Sequence, residues 1–278
     1  MQEVGTSKRP DLPMAVVVGA GGMAMAIARR LGQSHRLLVA DRDAEHLDRQ
    51  IAQLESEGFD AQACVCDVTS AQAVSTLAAK AAENGSIQTL AHVVGLSPSM
   101  GDFRTIMAVN WVGANLVAEA FQPLLRPGGC GIFISSMAGH LRNFDPVHPA
   151  MESCLDGEFL DRLEAALDEP ATSDLAYLLS KAALNRMVRR KAAPWGKLGL
   201  RIVSLSPGLI ATPMGALQFE RQPLKYEMLA ATPILREGTM IEVADAVEFL
   251  TSTRASFISG IDLLIDGGLI AALQHGAG

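Results

Sequence analysis

At 278 residues the chain can bury one large core, and its 49% apolar content fits a single domain. A formal charge of −7 provides no basic footprint, which excludes nucleic acid and anionic membrane surfaces as expected partners. The four cysteines, Cys64, Cys66, Cys130 and Cys154, match neither a metal-ligand spacing nor a disulfide framework, so a reducing, cytoplasmic setting is expected.

A polar tail runs from residue 1 to about Pro13. The stretch KRPDLPMAVVVGAGGMAMA imitates a secretory signal, but Gly19, Gly21 and Gly22 break its apolar run, and IARRLGQSHRLLVADRD continues it into a helix and a second strand. A buried strand and turn is the better reading. No segment approaches the ~20 apolar residues of a bilayer span. The runs MAVVV, RLLVA, AQACVC, TLAHVV, GIFISS, LRIVSLS and IDLLID read as strands. They do not alternate apolar with polar residues, as expected when helices cover both faces of a parallel sheet. Helical patterns lie between them at 22–32, 43–57, 70–83, 102–125, 174–195 and 241–252, with Ser70 and Asp174 as N-caps. This predicts one doubly wound α/β domain over residues 14–278.

Residues 140–173 are too long for an ordinary strand-to-helix loop and read as an insertion. Within it, EFLDRLEAAL puts Phe159, Leu160, Leu163 and Leu167 on one helical stripe that needs a surface to bury against. The insertion leaves the rim where α/β sheets bind ligands, so a lid or wall over the substrate is preferred to an assembly element.

The first strand runs into GAGGMA, where Gly19, Gly21 and Gly22, with Met23 and Ala24 opening the helix, would let a pyrophosphate approach a helix N-terminus. Ala24 stands where a glycine would usually close such a pattern. About twenty residues later VADRD supplies Asp41, placed to bind adenosine ribose hydroxyls, and its neighbour Arg42. Further on, DLAYLLSKAALNRM stacks Tyr177 and Lys181 on one helix face at i and i+4. Cys64 and Cys66 read as core, and His140, His148, Asp145 and Glu152 match no zinc spacing, so no metal is expected. Met214, Met228 and Met240 surround a substrate loop at about 209–240, as core filling or as an adaptable pocket wall.

Taken in order, these segments resemble the short-chain dehydrogenase/reductase family from Met14 to Gly268. GAGGMA is similar to the family's cofactor turn in a shortened form, and CDVT carries Asp67 and Val68 where the family contacts adenine. HVVG replaces the usual NNAG and keeps only Gly95. AVNWVG supplies Asn110, ISSMAG Ser136, YLLSK Tyr177 and Lys181, and SPGLIATPM supplies Pro207, Gly208, Ile210 and Thr212, before SGIDLLIDGG closes the chain. The resemblance implies a Rossmann-type domain with a parallel seven-stranded sheet, in a homodimer or homotetramer. It also implies a nicotinamide-dependent oxidoreductase acting on a small-molecule alcohol or ketone, with Asn110, Ser136, Tyr177 and Lys181 as the catalytic set. The apolar composition around 209–240 permits a bulky hydrophobic substrate, and insertions before the tyrosine also occur in the family's steroid and carbonyl reductases. NAD is expected over NADP, because a 2′-phosphate would meet the Asp41 charge.

The chemistry accounts for the residue types. Reducing a ketone needs a proton donor beside the oxygen, and a tyrosine of pKa ~10 is too weak unless its phenolate is stabilised. Lowering it by about three units takes roughly 4 kcal/mol, which one ammonium about 4 Å away at an effective dielectric near 20 would supply. Lys181, one turn away, is expected to do this and, by the resemblance, to hold the nicotinamide ribose. Ser136 would hydrogen-bond the substrate oxygen. By the same resemblance Asn110 holds a water that feeds protons through Lys181, and Thr212 binds the carboxamide. An epimerase or dehydratase of the superfamily would share Tyr177 and Lys181, but SPG and DGG fit the alcohol dehydrogenase branch better. A catalytically silent nucleotide sensor would more naturally have lost part of the catalytic set.

Overall fold

The computed structural model describes residues 11–144, 148–151, 156–212 and 224–276. The first ten residues, Asp145, Glu152, Cys154, Met214 and part of the expected substrate loop lie outside the described residues. Seven parallel strands form one sheet: β1 (Met14–Val18), β2 (Arg36–Asp41), β3 (Ala61–Val65), β4 (Ile87–His92), β5 (Leu125–Ile134), β6 (Arg201–Pro207) and β7 (Asp262–Ile265). Their order is β3-β2-β1-β4-β5-β6-β7, so the winding reverses between β1 and β4. This is the doubly wound α/β arrangement expected from the sequence.

The helices are α1 (Gly22–Leu31), α2 (Ala44–Ser56), α3 (Ala71–Glu83), α4 (Phe103–Met107), α5 (Ala114–Phe121), α6 (His148–Met151), α7 (Phe159–Ala165), α8 (Ser173–Gly196), α9 (Leu224–Ala231), α10 (Met240–Thr251) and α11 (Leu269–His275). All five residues of β1 are buried, and alternate ones serve two different cores. Met14, Val16 and Val18 join a core with α3, α5 and α8. Ala15 and Val17 join one with α1, α2 and α10. Burial on both faces is why the strands read as unbroken apolar runs.

The local differences from expectation have physical causes. The single helix expected at 102–125 is interrupted by a π-helical turn at Ala108–Gly113, between α4 and α5. β5 begins earlier than its apolar run: Leu125 pairs with Ile87, the register shifts, and pairing resumes at Cys130 opposite Thr89. Helix α8 is capped by Thr172, whose side chain accepts from the Leu175 N–H, leaving Asp174 in the first turn. Ser70 caps α3 as expected by accepting from the Ala73 N–H.

The apolar stripe of α7 is buried by the chain itself. Phe159 and Leu163, with Phe144 and Met151, are part of the core that also holds α4 and α8 residues, and Leu160 and Leu167 pack against it. Arg104 of α4 binds Asp161 and Glu164 of α7 across the surface. Among the described residues of 140–173, none lines the cleft described below. Neither a substrate nor a second chain is therefore needed to cover the stripe.

Candidate active site

At the C-terminal ends of β1 and β4, where the winding reverses, a cleft of about 540 Å3 opens. It is lined by Gly19, Gly21, Gly22, Met23, Ala24, Asp41, Arg42, Asp67, Val68, Gly95, Tyr177, Lys181 and Thr212. One surface thus gathers these thirteen residues from segments that lie far apart in the sequence.

The glycine turn is shaped by the neighbouring strand and leaves room for a ligand. Gly19 has a φ of 116°, and a Cβ there would stand 3.1 Å from the Val94 nitrogen, so a side chain is excluded on both counts. Gly21 has an ordinary φ of −70°. None of the described residues lies within 4 Å of its would-be Cβ, so they do not require glycine there. The N-cap of α1 is Gly21, which has no side chain to cap the helix, and its first turn carries no acid, which suits a helix N-terminus facing an anion. Asp41 ends β2, with its two carboxylate oxygens accepting from the Ala20 N–H at 2.8 Å and the Asp43 N–H at 3.1 Å. Asp67 accepts from the Thr69 N–H and hydroxyl through one oxygen. Open space beside Gly21, an uncapped helix and a fixed carboxylate together fit a dinucleotide.

At the other end, α8 presents Tyr177 and Lys181 on one face. Lys181 is 5% exposed. Its ammonium donates to the Ile134 carbonyl at 3.0 Å and lies 5.9 Å from the centre of the Tyr177 ring. Gly95 makes the room, since a Cβ there would stand 3.2 Å from Lys181 Nζ. Ser136, whose Oγ accepts from the Ala138 N–H at 3.2 Å, stands close enough to the Tyr177 phenol to pull its pKa down. Behind this group Asn110, in the π-helical turn, accepts from the Leu96 N–H at 2.7 Å and donates to the Leu96 carbonyl at 3.0 Å and to Ser180 Oγ at 3.3 Å. Ser180 in turn donates to the Tyr177 carbonyl at 3.0 Å. Asn110 thus braces the loop after β4 against α8.

The electrostatics correct one expectation. Burial pushes the Tyr177 phenol above its ordinary pKa, against the smaller downward pull of the Ser136 side chain. It also pushes Lys181 down, to about 8. In the protein alone Lys181 does not depress the phenol. Withdrawing both groups from water disfavours phenolate and ammonium alike. Both Asn110 amide hydrogens are committed, to the Leu96 carbonyl and to Ser180, so the side chain has no donor left for a water.

Other candidates sit elsewhere. Pro207, Gly208 and Ile210 stand off the cleft wall: a Cβ on Gly208 would be 2.6 Å from Asp266 Cα, and Ile210 packs into the core beneath α10. Pro207 pairs with Ile265 of β7, and the Gly208 N–H donates to the Ile265 carbonyl. Cys64 and Cys66 are buried as expected, and Cys66 also reaches the cleft. Met228 joins a small apolar cluster with Met137 and Leu269. The Met240 thioether lies 3.2 Å from a would-be Cβ on Gly22. His140 pairs with Asp262 at 2.7 Å, and no metal cluster occurs among the described residues. Sequence reasoning missed Val93, Val94, Leu96, Ser97, Met100, Val109, Ile134 and Ser135 as cleft-lining residues. The departure of HVVG from NNAG was a signal for the two valines. It also marks His92, a fully buried imidazole tilted against Phe133 at 5.5 Å with no hydrogen-bond partner among the described residues.

Residues 13–147 match the family model described as short chain dehydrogenase, and residues 165–270 match that described as Enoyl-(Acyl carrier protein) reductase. A short-chain dehydrogenase/reductase of Alternaria brassicicola is 32% identical over 264 residues, covering 94% of this chain and 96% of the relative. The chain belongs to the short-chain dehydrogenase/reductase family. Its fold is accordingly the family's Rossmann-type α/β fold, and the protein is an oxidoreductase of a family that uses NAD or NADP. A galactitol 2-dehydrogenase (L-tagatose-forming) of Cereibacter sphaeroides is also 32% identical, over 271 residues, with 94% of this chain and 96% of the relative covered. Among solved structures, a 7 alpha-hydroxysteroid dehydrogenase complexed with NADH and 7-oxo glycochenodeoxycholic acid has a TM-score of 0.75 at 27% identity, over 92% of this chain and 93% of the other. Among the described residues, no helix is long and apolar enough to cross a membrane.

Proposed function

We propose that the protein is an NAD(H)-dependent oxidoreductase that interconverts a secondary alcohol and a ketone. The observation that carries this reading is a single cleft with Asp41 and an uncapped helix N-terminus on one wall and Tyr177 and Lys181 on another. The nicotinamide, when bound, supplies or accepts hydride. The chain has to bind and orient it, hold the substrate oxygen, and move one proton.

Tyr177 is the proton donor in reduction, because its phenol lines the cleft beside Ser136, the second group able to donate to a substrate oxygen. Its raised pKa keeps it protonated at neutrality, the form required of an acid. Lys181, near 8, sits close enough to neutrality to gain or lose a proton. Asn110 is a positioning residue that holds Leu96 and Ser180.

Asp41 favours NAD, since each of its oxygens accepts one main-chain N–H and keeps a further lone pair for a ribose hydroxyl, whereas a 2′-phosphate would add like charge. Arg42 opposes that preference by offering a countercharge. The apolar residues Val93, Val94, Leu96 and Met100 support a hydrophobic ketone or alcohol. The relatives span a sugar-alcohol dehydrogenase and an enzyme bound to a bile-acid ketone, so both chemistries belong in the test. That test is a panel of polyols, hydroxysteroids and simple ketones with each cofactor. A higher kcat/KM with NAD(H) is expected, and comparable values for the two cofactors would overturn the preference.

A further inference from the structure

We propose that His46 is a positioning residue of the dinucleotide site, fixing the Ala20 peptide and, through it, the Asp41 carboxylate. The proposal rests on the dinucleotide reading above. Ala20 is 1% exposed and lies between the strand and helix hydrogen-bond patterns. The Gly19 N–H donates to the Ala40 carbonyl at 2.6 Å, and the Met25 N–H to the Gly21 carbonyl at 2.9 Å, so neither pattern uses the Ala20 peptide. A buried peptide of this kind needs partners for both its groups. Its N–H donates to Asp41 Oδ2 at 2.8 Å, and its carbonyl accepts from His46 Nε2 at 3.0 Å. A carbonyl can only accept, so Nε2 carries the proton.

The links close into a ring. The His46 N–H donates to Asp43 Oδ1 at 2.9 Å, the Asp43 N–H donates to Asp41 Oδ1 at 3.1 Å, and Asp41 accepts from Ala20. The glycine turn, the end of β2 and the first turn of α2 are thereby fastened to one another at the carboxylate that would read the adenosine ribose. His46 is the only side chain in this ring that reaches back to the turn's carbonyl. Removing its ring opens the assembly on the side facing Ala20, while a glutamine amide can restore a donor at similar reach.

The test uses the full chain, titrated separately with NADH and NADPH by nicotinamide fluorescence, with thermal melting of each variant alongside. His46→Ala is expected to weaken NADH about three- to tenfold, the loss of one hydrogen bond, with His46→Gln within about twofold of wild type. NADPH should weaken less than NADH, because its 2′-phosphate does not use the Asp41 oxygens in the same way. The inference is overturned if His46→Ala keeps its NADH affinity, if His46→Gln is as weak as His46→Ala at unchanged Tm, or if both cofactors weaken equally. A wild type that binds neither cofactor, or NADPH alone, overturns the dinucleotide reading or its NAD preference and takes the inference with it. That failure is distinguishable because it appears before any substitution is made.

Discussion

Lys181→Met should make the protein more stable while removing its activity. The Lys181 ammonium is buried with one hydrogen bond among the described residues, to the Ile134 carbonyl at 3.0 Å, and burial pushes its pKa from 10.5 to about 8. Because the folded-state pKa lies below the unfolded one, the unfolded chain binds the extra proton between these values, and stability rises with pH across that window. Below pH about 8 the folded protein carries the whole penalty, worth about 3 kcal/mol. Methionine keeps an apolar stem and removes the charge, but leaves the Ile134 carbonyl without its donor, which takes back about 1 kcal/mol. A net gain of about 2 kcal/mol, or a few degrees in Tm, is expected near pH 7, shrinking as pH approaches about 10. Thermal melting of both proteins across this pH range is the assay. A variant less stable than wild type near neutrality, or a difference that ignores pH, would refute the claim that burial of an uncompensated ammonium governs this site.

His92→Phe should flatten the acid limb of stability. Burial pushes the imidazole down to about 3, so wild type loses stability as pH falls below the unfolded value of 6.5, while the two proteins stay similar near neutrality. Equal acid limbs in pH-dependent urea unfolding would show that His92 is not the responsible group. Phe159→Ala, which empties a position that is fully buried in the core shared with α4 and α8, should cost about 3–5 kcal/mol in urea unfolding and leave NADH affinity within about twofold. A small stability loss with a large change in substrate KM would restore the lid reading of the insertion.

The parts of the fold legible in the sequence were those set by periodicity. Strands such as β1, buried on both faces, announce themselves as unbroken apolar runs, and the Ser70 cap follows from local chemistry. The π-helical turn at Ala108–Gly113 was not legible, because α and π turns draw on the same residues. What distinguishes them here is Asn110 reaching Leu96, fourteen residues away. The stripe on α7 declared that it must be buried but not by what. At the site, the four-residue spacing of Tyr177 and Lys181 was readable, whereas the direction of their pKa shifts was not. Spacing sets proximity, but desolvation sets the sign, and desolvation depends on walls such as Gly95 and Ile134 contributed by other elements. His46 escaped notice for a related reason. On α2 alone it is one polar residue of a first turn, and its partner Ala20 comes from the turn after a different strand.

The most direct measurement of the central claim is hydride transfer by wild type and Tyr177→Phe, read as nicotinamide absorbance with NAD and a panel of secondary alcohols, together with NADH binding by both proteins. The account predicts that wild type reduces NAD with at least one alcohol, and that Tyr177→Phe loses this turnover while binding NADH within about twofold of wild type. A Phe variant that kept most of the wild-type kcat, or a wild type that bound NADH yet transferred hydride to or from none of the panel, would contradict it.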